Sequence, residues 1–259
     1  MRLDLETLLK GKATEIKGKN YFATADYVEP FLERMSKVTD DFRVEVKLPD
    51  QITKTKEGNI DMDDITYNRV WIQAVLNNRK VYDNHCQVIG MVYGLDTRKP
   101  VVKFYLGGLN MACTNLCVFN PESLFEYEVK PETAINYKCV SSMLEETINI
   151  KVWLDKLHHT IFENTESNIN EQLGKWIRNS MTSCYDTGFG KVKLATSTAI
   201  DAYKLLFENE KSSYFVGNNN TDMFNVYNAF TELISNDKGK DILNKAEKTL
   251  LLMDILELD

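Results

Sequence analysis

Cys86-Gln87-Val88-Ile89-Gly90-Met91-Val92-Tyr93-Gly94-Leu95-Asp96-Thr97-Arg98-Lys99-Pro100-Val101-Val102-Lys103-Phe104-Tyr105-Leu106 reads as two strands joined by a turn. Both flanks are rich in Val, Ile, Tyr and Phe, and Gly94 to Thr97 supplies the turn chemistry. Upstream, Arg43-Val44-Glu45-Val46-Lys47-Leu48 alternates charged and apolar, the period of a half-buried strand, and Pro49 ends it. Residues 50–64 are polar and read as a loop or hairpin tip. Ile65 to Val75 is β-rich, and Lys80-Val81-Tyr82 is a further short strand. Downstream, Gly107-Gly108 breaks the returning strand and Asn110 to Phe119 forms the last long one. The pattern predicts an antiparallel meander of about four to six strands.

Helical periodicity flanks this meander. Residues 2–10 suit a short helix. In 25–38, Val28, Phe31, Leu32 and Met35 recur at spacings of three and four and share a face. After residue 140 the chain contains no proline and turns to helix formers. Four to five helices are expected there, over about 140–163, 168–185, 193–207, 223–234 and 240–256, with Thr221 or Asp222 capping the fourth. Strands followed by helices predict an α+β fold. Residues 1–140 form an antiparallel sheet region with N-terminal helices, and 141–259 a helical region packed on or beside it.

The chain has 259 residues, enough for one large domain or two small ones. With 12 glycines and 5 prolines it is neither collagen-like nor a linker. Its 31 basic and 38 acidic residues give a net charge of −7, which argues against coating DNA by bulk charge. Met1 to Glu6 carries acids where a signal peptide has an apolar stretch, and no window approaches the ~18 apolar residues of a membrane span. Five scattered cysteines suit free thiols in a reducing compartment. These features predict a cytoplasmic protein with no membrane contact.

Two segments carry a family resemblance. The first is Cys86 to Tyr93, Val101 to Phe104 and Ala112-Cys113-Thr114-Asn115-Leu116. The second is Asn220-Thr221-Asp222-Met223-Phe224-Asn225-Val226-Tyr227-Asn228-Ala229-Phe230-Thr231-Glu232. Together they resemble a family of phage/plasmid-like proteins of unknown function, in which a sheet ends in Cys-x-Asn and a late segment reads Asn-Ala-x-Thr-Glu. The likeness spans about residues 40–250 and lacks the glycine- and histidine-rich opening of many members. It implies a phage or mobile-element setting and no agreed catalytic residues.

Charge placement gives the strongest physical signal. From Ile65 to Asn120 the basic residues are Arg69, Arg79, Lys80, Arg98, Lys99 and Lys103, against Asp83 and Asp96, so the segment carries +4. By the period-two rule Tyr67, Arg69, Trp71 and Gln73 share one strand face, and Lys99, Lys103 and Tyr105 share another. If these faces coincide, cations interleave with aromatics, as on a platform for single-stranded nucleic acid. There each stacked base contributes ~1–3 kcal/mol. In the competing arrangement Trp71 and the tyrosines pack under the helices and the cations form a solvated edge.

The remaining motifs are weaker. Cys113 and Cys117 point the same way in a strand, but about 13 Å apart at ~3.3 Å per residue, so one zinc ion cannot bridge them. His158 and His159 diverge by ~100° on a helix and cannot share a site. With His85 they are the only histidines, and nothing pairs them with Cys113 or Cys139 as a nucleophilic dyad. Asp61, Asp63 and Asp64 lack the glycine and twelfth-position acid of a calcium loop. Gly188-Phe189-Gly190-Lys191 lacks phosphate-loop spacing and reads as a helix-ending turn.

The sequence therefore predicts a non-enzymatic binding protein without a cofactor. The leading expectation is a phage or mobile-element protein that binds single-stranded DNA on the sheet and promotes annealing. Arg69, Arg79, Lys80, Lys99 and Lys103 would meet phosphates, beside Tyr67, Trp71 and Tyr105, and the long C-terminal helices would build a homo-oligomer. The rival is an anti-defence or host-takeover protein that binds and inhibits a host protein complex. Residues 141–259, with 12 basic and 18 acidic side chains, would present its surface.

Overall fold

The computed structural model describes residues 2–11, 14–16, 19–21, 23–37, 39–47, 70–82, 85–94, 101–110, 116–118, 125–128, 137, 147–186, 191–236 and 242–258. Within these the fold is α+β. Strands β1 (Arg2–Leu3), β4 (Phe42–Lys47), β5 (Val70–Tyr82), β6 (His85–Gly94), β7 (Val101–Asn110) and β8 (Leu116–Val118) lie in that order in one sheet. A seventh strand, β9 (Phe125–Glu128), pairs with the other half of β7. Every pairing in the sheet is antiparallel. Two small hairpins, β2 (Thr14–Ile16) with β3 (Lys19–Tyr21) and β11 (Tyr185–Asp186) with β12 (Lys191–Val192), stand outside it.

The described strands follow the predicted order. The expected last strand, Asn110 to Phe119, is described only at Asn110, which ends β7, and at Leu116–Val118, which is β8. Strand β9 lies beyond the expected strands, and two further differences concern length. The described part of the segment expected at Ile65–Val75, from Val70 on, and that at Lys80–Tyr82 are one strand, β5, whose register to β6 shifts between Leu76 and Tyr82. The irregularity lets one strand absorb the polar residues Asn77 to Lys80 without ending. Gly107-Gly108 does not break β7, because both glycines pair with β6 on one side and β8 on the other. The expected 50–64 loop, the Gly94–Thr97 turn beyond Gly94, and Gly188 to Gly190 lie outside the described residues.

Seven helices occur among the described residues. α1 (Leu5–Leu9) and α2 (Thr24–Ser36) lie in the N-terminal half. α3 (Thr147–His159), α4 (Glu166–Thr182), α5 (Thr196–Phe207), α6 (Met223–Ser235) and α7 (Ile242–Ile255) form the C-terminal half. No helix among the described residues is long and apolar enough to cross a membrane. Tyr27, Val28, Phe31 and Met35 of α2 are buried against one sheet face, where Ile72, Ala74, Ile89, Met91, Tyr93, Val102 and Phe104 point. Ring contacts mark the seam: Tyr27 stacks on Tyr93 at 5.8 Å, and Phe31 lies 6.1 Å from Phe104. Burial pushes the Tyr93 hydroxyl well above the ordinary tyrosine range, and it donates to Thr24 Oγ1 at 3.3 Å. The same hydrophobic cluster continues into Leu154, Trp176, Ala202, Phe230 and Leu252, so the sheet and the helical region share one core.

Helix α1 begins at an N-cap, Asp4, whose Oδ1 accepts from the Thr7 amide at 2.8 Å. That bond holds the Asp4 carboxyl below its ordinary range. A lowered folded-state pKa means the cap stabilises the helix above the ordinary aspartate range and is lost as pH falls through the depressed value. The protection factor of the Thr7 amide, its exchange corrected for the intrinsic pH dependence, is therefore expected to fall at acid pH in the native chain. In Asp4→Asn, whose cap does not titrate, it should stay level; an identical acid dependence in both would refute the assignment.

The helical half is tied by its turns. Strands β10 (Ile161–Phe162) and β13 (Thr221–Asp222) pair, and the Met223 amide donates to Thr160 O at 2.9 Å. Asn164 clasps the loop before β13: its amide donates to Asn220 Oδ1 at 2.8 Å, and its Nδ2 donates to Gly217 O and Asn219 O. Gly217 sits at φ 58°, a left-handed conformation that costs glycine little.

Candidate functional site

The second face of the sheet carries the residues that sequence reasoning singled out. Registers align Lys47, Trp71, Val92 and Lys103 in one row, and Glu45, Gln73, Gly90 and Tyr105 in the next. Trp71, Lys103 and Tyr105 thus share a face, as the period-two rule predicts. At these three residues that face is not open to solvent. Trp71 and Tyr105 are 1% exposed and Lys103 0%. Their expected contacts with bases and phosphates are corrected: all three side chains belong to the interior.

Helix α7 supplies the cover. Leu250 packs into the cluster of Trp71, Val75, Cys86, Val88, Val92 and Tyr105. Tyr105 Oη donates to Glu247 Oε1 at 3.1 Å, and Lys103 Nζ lies 3.9 Å from the same oxygen and 5.8 Å from the centre of the Tyr185 ring. Glu247 is 1% exposed. Burying a cation costs several kcal/mol unless a countercharge is buried with it, and Glu247 meets that requirement. Trp71 stands 5.3 Å from the Tyr105 ring and donates from Nε1 to Gln73 Oε1 at 2.8 Å. Gln73 Nε2 donates to Glu45 Oε2 at 2.9 Å, and Arg43 Nε donates to Glu45 Oε1 at 3.2 Å. The face is a polar chain within an apolar layer, closed by a helix.

The other five candidates fall outside this description. Tyr67, Arg69 and Lys99 lie outside the described residues. Arg79 and Lys80 belong to the last turn-ward stretch of β5, and their side chains are also outside. Sequence reasoning missed Glu247 and Tyr185. The signal was present in α7: an apolar run, Leu250-Leu251-Leu252, follows directly on Glu247-Lys248-Thr249, and all six are buried.

A second cluster joins α3 to α6. His158 Nδ1 lies 3.1 Å from Asp222 Oδ2, while Asp222 Oδ1 accepts from the Asn225 amide at 2.8 Å and caps α6. The His158 ring packs 3.9 Å from Phe224, and His85 meets the same ring edge-on at 5.5 Å. His159 points elsewhere: it is exposed, with Nδ1 2.6 Å from Asp155 O. The two adjacent histidines diverge as helix geometry requires. The pair with Asp222 acts as a tie between helices, since the carboxylate is already engaged by the cap.

Cys86 is a free, buried thiol and Cys184 a free, exposed one. Cys113 and Cys139 lie outside the described residues, as do Asp61, Asp63 and Asp64. Among the described residues no three metal-ligating side chains converge. Among the described residues the large apolar side chains that stay exposed are Val152, Ile161, Met181 and Ile200, at 61, 68, 64 and 37%. All four lie in the helical half.

Compared with known proteins, the chain matches no family model, no curated protein and no solved structure.

Proposed function

We propose that the protein acts by binding another protein through its helical half, in the anti-defence or host-takeover manner of a phage or mobile-element factor. One observation carries this reading: among the described residues the large apolar side chains left exposed, Val152, Ile161, Met181 and Ile200, all lie in the helical half, while Trp71, Lys103 and Tyr105 of the sheet are buried. An exposed apolar side chain gains by covering, whereas a buried lysine already paired with Glu247 has no phosphate to seek. The phage setting rests on the resemblance of the Asn228-Ala229-x-Thr231-Glu232 segment.

Single-stranded DNA binding remains the competing proposal, with Arg69, Arg79, Lys80 and Lys99 as phosphate contacts. The two separate in one experiment. The purified chain, immobilised and incubated with nuclease-treated host lysate, is expected to retain a stoichiometric protein partner. In parallel, it is expected not to retard a single-stranded oligonucleotide at low salt. Retardation that weakens with salt and is lost in Arg69→Ala/Arg79→Ala, with no protein retained, would reverse the choice.

A further inference from the structure

We draw no further inference here: the strongest candidate, the exposed apolar side chains Val152, Ile161, Met181 and Ile200 of the helical half, carries nothing beyond the protein-binding reading, because the four stand on separate elements, α3, β10, α4 and α5, and nothing in the structure shows them sharing one surface or what covers them.

Discussion

Glu247→Leu is expected to destabilise the fold by about 3–5 kcal/mol, the usual cost of removing one member of a buried ion pair. The carboxylate is the acceptor for Tyr105 Oη and the countercharge nearest Lys103, and both it and the lysine are fully enclosed. In a chain of this size such a loss lowers the melting temperature by roughly 6–20 °C. The companion measurement is Lys103→Met in the same background. Replacing a buried pair by apolar side chains of similar volume is often neutral or stabilising, so the double variant is expected to recover most of the loss. Lys103→Met alone leaves the carboxylate enclosed beside Tyr105 and is expected to cost more than the double change. Additive effects of the two changes in denaturant unfolding would show that Lys103 and Glu247 do not interact across the α7–sheet contact.

Gly90→Val is the second large expected effect. A Cβ at position 90 would lie 2.7 Å from Trp71 Cζ2 and 2.9 Å from Cη2, closer than real side chains approach. The indole has little room to yield, because its Nε1 is bonded to Gln73 and its ring packs against Tyr105. Overpacking of this kind costs about 1–3 kcal/mol, and the branched valine belongs at the upper end. Alanine is expected to cost less, and Trp71→Phe to restore part of the stability lost in Gly90→Val by removing the atoms that clash. Tryptophan fluorescence during unfolding reports on it directly. A Gly90→Val variant as stable as the native chain would mean that the indole does not lie over Gly90.

Much of the architecture was legible in the sequence. The alternation of Arg43 to Lys47 gives β4, the three-and-four spacing of Val28, Phe31, Leu32 and Met35 gives the buried face of α2, and Asp222 is the cap of α6. Each is a local signal, and local signals survive folding when packing agrees with them. What stayed hidden is a relation between distant segments. Whether Trp71, Lys103 and Tyr105 face water depends on α7, more than 130 residues further along. A hint was available nearby: Val70-Trp71-Ile72 and Val88-Ile89-Gly90-Met91-Val92-Tyr93 are apolar at consecutive positions. A sheet with one wet face alternates, whereas one covered on both faces reads as continuous apolar runs. The single lysine in β7 drew attention as a phosphate ligand because its partner, Glu247, cannot be paired with it by spacing. The same limit separates His158 from Asp222, whose tie spans 64 positions.

The outer side of β7 is occupied twice, by β9 along Val101 to Phe104 and by β8 along Gly107 to Leu109. Two short strands from one stretch of chain thus occupy the hydrogen-bonding edge of a ten-residue strand. A long open edge is the template on which a second molecule adds a strand and a fibril begins. With that edge filled from within, polymerisation through β7 would first have to strip away the molecule's own β8 or β9. Loss of either short strand is therefore a route to aggregation even where the hydrophobic core stays intact.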